Sequence, residues 1–298
     1  MNSILTLIAA PDKANIDTGA VTLARQALSG IGASVSTDTT WLAEGIACDI
    51  TFTGPDDAGT AVHDALASRP IDVVTQGATG RRKSVLIADM DSTIITVETV
   101  DLLADRAGIG AQVAEITERS MRGELDFTES LRARVAMLAG IEETALYKLR
   151  DSALPLTPGA RTLVATMRAN GAYTALVSGG FTVFTDSVAG RAGFDTHQGK
   201  RLGIADGALD GTLAEPVINR GGKRSALVKI AEERGVEIAD VMAIGDGAND
   251  LDMLATAGLG VAFRAKPVVA ESAPARIDHG DLTAALYIQG YRREDFVN

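Results

Sequence analysis

Val85-Leu86-Ile87-Ala88-Asp89-Met90-Asp91-Ser92-Thr93 is the stretch on which the fold turns. A short apolar run with β-branched residues and a polar end fits a central parallel strand, buried on both faces. In an open α/β sheet, ligands and chemistry sit outside the carboxyl ends of the strands. Asp89 and Asp91 therefore project from the end where chemistry is expected. Two like charges held so close need a cation or a shared proton, since otherwise one stays protonated. A hard divalent ion with oxygen ligands meets that need. Alone, the Asp-x-Asp pair fits an Asx-rich turn equally well.

The same arrangement recurs twice downstream. Tyr173-Thr174-Ala175-Leu176-Val177 runs into Ser178-Gly179-Gly180-Phe181, and Val241-Met242-Ala243-Ile244 runs into Gly245-Asp246-Gly247-Ala248-Asn249-Asp250. Glycines let the backbone approach a ligand and present its N–H groups as an anion nest. Between these motifs, Gly221-Gly222-Lys223 opens a helical pattern over 225–234. An isolated Lys223 would be a solvated surface lysine; the company it keeps reverses that. Gly222-Lys223 also imitates the end of a nucleotide-binding P-loop, but Arg224 stands where Ser or Thr is needed and the upstream glycine spacing fails. Nucleophile, metal ligands and donors for phosphoryl oxygens are the parts of a phosphoryl-transfer site.

These four motifs, in this order, resemble the haloacid dehalogenase superfamily of aspartate-nucleophile phosphotransferases. The resemblance covers about residues 84–262 and rests on Asp89/Asp91/Thr93, Ser178, Lys223 and Gly245/Asp246/Asp250. It implies a Rossmann-like parallel-sheet core in an α/β fold. It makes Asp89 the nucleophile that forms an aspartyl-phosphate and Asp91 the general acid–base. Mg²⁺ would be held by the Asp89 carboxylate, the Asp91 backbone carbonyl and Asp246. Ser178, with the N–H groups of Gly179 and Gly180, would hold phosphate oxygens, and Lys223 would neutralise them. Asp250 would orient the lysine or the metal ligands, and Asn249 would hydrogen-bond near the phosphate or attacking water. Thr93 either shares in this or only caps a turn.

Between the first two motifs, apolar spacing over 98–157 reads as helices: Val100-Leu102-Leu103, Val113-Ile116, Phe127-Leu131-Val135-Leu138 and Leu146-Leu149. Asp126 fits an N-cap and Gly140 a stop. The segment is expected to form a helical cap over the strand ends, a lid that excludes water. Arg134 shares the apolar stripe of Phe127 and Leu131; it either snorkels along apolar surface or captures a carboxylate. Glu98, at the root of the cap, either binds an ammonium or is solvated. Met121-x-Gly-x-x-x-Phe127, Leu131-x-x-Arg134 and Glu98, added to the core motifs, resemble the phosphoserine phosphatase family. That resemblance assigns Glu98 to the amino group and Arg134 to the carboxylate of O-phosphoserine, with Met121 and Phe127 packing over the substrate.

Residues 1–80 have another rhythm. Strand patterns at 4–9, 35–41, 46–52 and 71–75 and helical ones at 18–28 and 58–66 give a βαββαβ order, the ferredoxin-like arrangement. It resembles ACT-like regulatory domains, which implies a homodimer and leaves two roles open, binding of an amino-acid effector or dimerisation alone. Gly77-Ala78-Thr79-Gly80-Arg81-Arg82-Lys83 reads as a polar linker whose cations solvate the joint. The expected division is thus 1–80, ACT-like; 84–97 and 158–298, catalytic core; 98–157, cap. Residues 200–213 read as a hairpin excursion around Asp206-Gly207.

Lys+Arg 28 against Asp+Glu 39 leaves a net charge of −11, which argues against general binding to nucleic acid or anionic membrane. No apolar run is long enough to span a bilayer, and the apolar N-terminal run lacks a cationic lead-in, so a cytoplasmic location is expected. Cys48, the single cysteine, reads as a buried apolar thiol. His63, His197 and His279 have no ligand spacing. Three functions stay open: Mg²⁺-dependent hydrolysis of O-phosphoserine or another small phosphomonoester, phosphotransfer to an alcohol such as homoserine, and amino-acid sensing over a vestigial core.

Overall fold

The computed structural model describes residues 2–11, 15–55, 57–121, 126–152, 154–213 and 220–298, and of Ser120, Met121 and Phe127 the backbone alone. The N-terminal unit runs β1 (Ser3–Ala9), α1 (Thr18–Gly30), β2 (Ser34–Ala43), β3 (Ala47–Thr53), α2 (Ala58–Ala65) and β4 (Ile71–Gly77). Its sheet has the order β2-β3-β1-β4, with β1 antiparallel to both neighbours, which is the ferredoxin-like arrangement. Strand alternation divides the residues between two faces. Leu5, Leu7, Cys48 and Ile50 pack under Ala20, Ala24 and Leu28 of α1 and Val62 of α2. Burial pushes the Cys48 thiol up to about 12, so it is an inert core residue. Ile8, Ala47 and Val74 face the other way and join the hydrophobic cluster of the rest of the chain.

The second body continues as β5 (Val85–Ala88), α3 (Thr99–Arg106), α4 (Gly110–Met121), α5 (Phe127–Met137), α6 (Glu143–Ser152), α7 (Ala160–Ala169), β6 (Tyr173–Phe181), α8 (Thr182–Ala192) and β7 (Thr196–Lys200). A hairpin, β8 (Leu202–Ala205) and β9 (Ala208–Leu213), leads to α9 (Arg220–Arg234), β10 (Val241–Gly245), α10 (Leu251–Thr256), β11 (Leu259–Phe263), α11 (Pro267–Ser272), β12 (Ala275–Ile277) and α12 (Ala284–Ile288). The six-stranded sheet has the order β12-β11-β10-β5-β6-β7 and is parallel throughout. Val85 and Ile87 pack with Leu227, Ile230 and Met253 on one face; Leu86 and Ala88 pack with Leu163, Met167 and Phe184 on the other. Covering both faces is why this strand shows an unbroken apolar run. From β5 the chain winds outward through β6 to β7, then returns to β10 on the other side. The crevice between β5 and β10 is therefore the topological switch point, where open α/β sheets bind ligands.

Helices α3–α6 form an all-helical insertion between β5 and α7, the segment expected to act as the cap. Asp126 caps α5, accepting from Glu129 N at 2.7 Å while Glu129 accepts from Asp126 N at 3.1 Å. The two crossings into the cap lie side by side: Thr96 N donates to Pro155 O at 3.1 Å and Thr157 N to Ile94 O at 2.9 Å. The β8–β9 hairpin leans on the cap, with Gly140 N donating to Leu209 O and Leu209 N to Ile141 O, each at 2.8 Å. Among the described residues no helix is long and apolar enough to cross a membrane.

The segment after β4 differs from the solvated linker expected of it. Arg81 is largely buried and pairs with Asp49 at 2.6 Å, while its Nε and Nη2 donate to Ile288 O and Tyr287 O. Arg82 stacks on the Tyr291 ring at 4.1 Å, and Lys83 Nζ donates to Ala239 O at 2.8 Å. From β4, Asp72 accepts from the backbone N–H groups of Asp278, His279 and Gly280. The cations clamp the two bodies because the Arg81 guanidinium meets the carbonyl end of α12 and the buried Asp49 carboxylate, and the Lys83 ammonium meets the Ala239 carbonyl. Docking of one fold on another, invisible to local composition, created those acceptors.

Candidate active site

Strands β5, β6 and β10 carry Asp89, Ser178 and Asp246 to neighbouring C-terminal ends of the sheet. Asp89 is 6% exposed; its Oδ1 accepts from Met90 N at 2.7 Å and pairs with Lys223 Nζ at 2.7 Å. Lys223 is 0% exposed and also reaches Asp250 Oδ1 at 2.6 Å. Burial opposes the lysine's charge, yet the carboxylates of Asp250 and Asp89 outweigh it and hold its pKa above the usual value. Burial, reinforced by the Asp250 charge, drives Asp89 well above the ordinary carboxylate range. Burial likewise pushes Asp246 up to about 6.

Beyond Asp89 the chain makes an irregular turn in which Ser92 sits at φ 53°, in the left-handed region. Such strain in a non-glycine residue collects at functional sites. The turn aims three side chains. Thr93 Oγ1 donates to Asp246 Oδ1 at 2.7 Å and so ties the β5 and β10 loops together. Ser92 Oγ donates to Glu98 Oε1 at 2.7 Å. Asp91 accepts from Thr99 N at 3.0 Å and Thr99 Oγ1 at 3.3 Å. Burial, then the nearby Glu98 charge, pushes Asp91 up to about 7, suited to giving and taking a proton near neutrality.

On β6 the strand continues through Ser178-Gly179-Gly180 to Phe181 rather than ending at Val177. Ser178 Oγ accepts from Gly180 N at 2.9 Å. A β-carbon at Gly180 would lie 3.1 Å from both Asp91 Oδ2 and Ser178 Oγ, so the missing side chain keeps these two groups within one small space. Gly245 serves similarly: a β-carbon there would lie 2.4 Å from Asp250 Cγ.

Asp89, Asp246 and Asp250 each offer a carboxylate oxygen within 4.8 Å of the others, a set that could hold a metal ion. Asp250 spends Oδ1 on Lys223 and Oδ2 on Gly247 N. It anchors the lysine, which leaves Asp89 and Asp246 as the carboxylates better placed to hold a cation. Both commit Oδ1 to protein donors and keep Oδ2. An all-oxygen set with excess negative charge suits a hard divalent cation.

The cap residues are less gathered. Glu98 is exposed at the N-cap of α3, and its charge is felt by both Asp91 and Asp246. Arg134 is half-buried on α5 and donates from Nε to Ser130 O at 3.4 Å. Asn249 is half-buried beside Gly247. The side chains of Met121 and Phe127 lie outside the described residues. Thr99, which holds Asp91 by two hydrogen bonds, escaped sequence reasoning; its signal was a threonine at the first position of a helix directly after Glu98.

Residues 86–255 match the family model of haloacid dehalogenase-like hydrolases. The chain belongs to that family. Among its relatives, the hydrolase is 44% identical over 243 residues to a phosphoserine phosphatase of Streptomyces coelicolor, covering 82% of this chain and 59% of that one. It is 41% identical over 206 residues to a phosphoserine phosphatase of Streptococcus thermophilus, covering 69% of this chain and 95% of that one. A crystal structure of a probable phosphoserine phosphatase from Vibrio cholerae, unliganded, superposes with a TM-score of 0.79 at 32% identity, covering 98% of this chain and 88% of that one. The hydrolase spans less than two thirds of the length of the Streptomyces relative.

Proposed function

We propose that this hydrolase cleaves O-phosphoserine to serine and phosphate through an aspartyl-phosphate, with Mg²⁺ held by Asp89, Asp246 and the Asp91 backbone carbonyl. The observation that carries the reading is the buried cluster at the switch point, three carboxylates of which two pair with one lysine, together with Ser178 and the helical segment bearing Glu98 and Arg134. Bound there, Mg²⁺ supplies the positive charge that keeps Asp89 ionised and draws on the phosphate oxygens.

The free Asp89 oxygen attacks phosphorus as the P–O bond to serine breaks, and protonated Asp91 gives its proton to the departing serine oxygen. Asp91 then takes a proton from water, which attacks phosphorus and frees Asp89. Lys223 and Ser178, with the Gly179 and Gly180 N–H groups and Asn249, carry the negative charge of the transferring group. Glu98 holds the substrate ammonium and Arg134 its carboxylate, with Met121 and Phe127 over the substrate. Residues 98–157 act as the lid, 84–97 and 158–298 as the catalytic core, and 1–80 as an ACT-like regulatory and pairing unit. The enzyme works as a cytoplasmic homodimer open to an amino-acid effector.

Phosphate release with Mg²⁺ from O-phosphoserine, phosphothreonine, phosphoethanolamine and a sugar phosphate tests this reading. O-Phosphoserine is expected to lead, with phosphoethanolamine poor because it lacks the carboxylate. Flat activity across the four would remove Glu98 and Arg134 from the pocket.

A further inference from the structure

Asp101 stands three residues beyond Glu98 on α3, so both carboxylates lie on one side of that helix. The side chain is half-buried, and its Oδ1 is shielded from solvent with no hydrogen-bond donor. Native proteins rarely leave a carboxylate oxygen in that condition, because its lost hydration is not replaced. Only two other shielded side-chain atoms without partners occur among the described residues, Arg25 Nε and Thr157 Oγ1, and neither belongs to an acid.

An unused donor lies across the cap. Helix α3 packs on α4 and α4 on α5, which carries Arg134. Among the described residues Arg134 makes no ion pair, and its one hydrogen bond is the long 3.4 Å contact to Ser130 O in its own helix. The two side chains nevertheless feel each other. Burial and the Glu98 charge raise the Asp101 pKa, while Arg134 and then Lys266 oppose that rise. An acid oxygen lacking a donor thus lies within electrostatic reach of a guanidinium whose one hydrogen bond among the described residues is a long one, with no direct pair between them.

We propose that Asp101 is a positioning residue for Arg134: in the substrate-bound enzyme its shielded oxygen accepts from one edge of the guanidinium and turns the other edge toward the substrate carboxylate. Arginine is suited to this bridging, since its planar fork offers donors on two edges and a pair on one edge fixes the plane of the other. The proposal rests on the reading in which Arg134 holds the carboxylate of O-phosphoserine. Asp101 itself cannot take that carboxylate, being of like charge.

The test is steady-state kinetics of Asp101→Asn, alone and combined with Arg134→Ala, on O-phosphoserine and on p-nitrophenyl phosphate. Alone, Asp101→Asn should lower the phosphoserine-to-aryl ratio of kcat/KM about tenfold or more, mostly through KM, and Asp101→Glu should recover part of it. In the Arg134→Ala background the same substitution should change phosphoserine kinetics less than about twofold. Equal losses on both substrates would overturn the proposal in favour of a general structural role. A full further loss in the Arg134→Ala background would also overturn it, since Asp101 would then bind the ammonium directly. Failure of the underlying reading shows separately, as an Arg134→Ala enzyme whose substrate ratio matches the wild type.

Discussion

The joint between the N-terminal sheet and the core, and the crevice between β5 and β10, both bury carboxylates, and they treat them in opposite ways. At the joint, Asp49 meets Arg81 at 2.6 Å and the Thr6 hydroxyl at 2.7 Å, and Asp72, though burial raises its pKa as well, is met on both oxygens by three backbone N–H groups that oppose the rise. In the crevice, Asp89 and Asp250 share the ammonium of Lys223 while Asp246 beside them has only the Thr93 hydroxyl among the described residues, and burial drives Asp89 and Asp246 upward in pKa. Buried carboxylates whose oxygens are met by protein donors hold structure; a cluster of them left short of positive charge suits a cation that arrives later. The contrast separates the architecture of this hydrolase from its chemistry.

The largest expected effect comes from Asp89→Asn. Loss of the nucleophile should cut turnover on any phosphomonoester by about a thousandfold or more. Thermal unfolding of the metal-free variant should occur no lower than in the wild type, because one of the crowded negative charges has gone. Arg81→Ala should do the reverse. It strands Asp49 beneath the sheet, at a cost of about 3–5 kcal/mol in urea unfolding, while kcat of the protein that remains folded stays near wild type. Loss of activity without loss of stability in Arg81→Ala would dissolve the contrast.

A third effect is read by pH. Asp246 at about 6 and Asp91 at about 7 lie above the unfolded value of about 3.9. Groups raised in the folded state bind more protons folded than unfolded, so their contribution is full below pH about 4 and is lost as pH rises through 6 to 7. Metal-free protein should therefore melt at progressively lower temperature between pH 5 and 8, and millimolar Mg²⁺ should flatten that slope. Identical slopes with and without Mg²⁺ would mean the crevice is not a cation site. The smallest effect is expected from Thr93→Val, which frees Asp246 from its 2.7 Å hydrogen bond. Mg²⁺ should bind about tenfold more weakly, measured by calorimetry, with the fold almost unaffected.

What the sequence made legible follows the same division. The strand 85–88 could be read because covering both sheet faces demands apolar residues at every position. The crevice residues could be picked out because Asp89, Ser178 and Asp246 stand at or just past apolar strands, and Lys223 opens a helix between two of those motifs. Residues 2–77 showed their βαββαβ order through simple alternation. Arg81 looked like a solvated linker cation, because its partners come from β3 and α12, more than thirty and two hundred residues away. Ser178 and the two glycines after it looked like a loop, since glycine weakens strand propensity, yet β6 runs on through an irregular stretch and regains its pairing with β7 at Phe181 and Lys200. Asp101 was invisible for a third reason. An acid near the start of a helix is ordinary, and only its solvent-shielded, unpartnered oxygen sets it apart.

The most direct measurement is rapid acid quench of the wild type turning over ³²P-labelled O-phosphoserine with Mg²⁺, followed by mapping of the labelled peptide. Label is expected on Asp89, released by hydroxylamine as an acyl phosphate, and missing from Asp89→Asn. Label on another residue, or turnover with no covalent phosphate at any quench time and an active Asp89→Asn enzyme, would contradict the assignment of this crevice to aspartyl-phosphate chemistry.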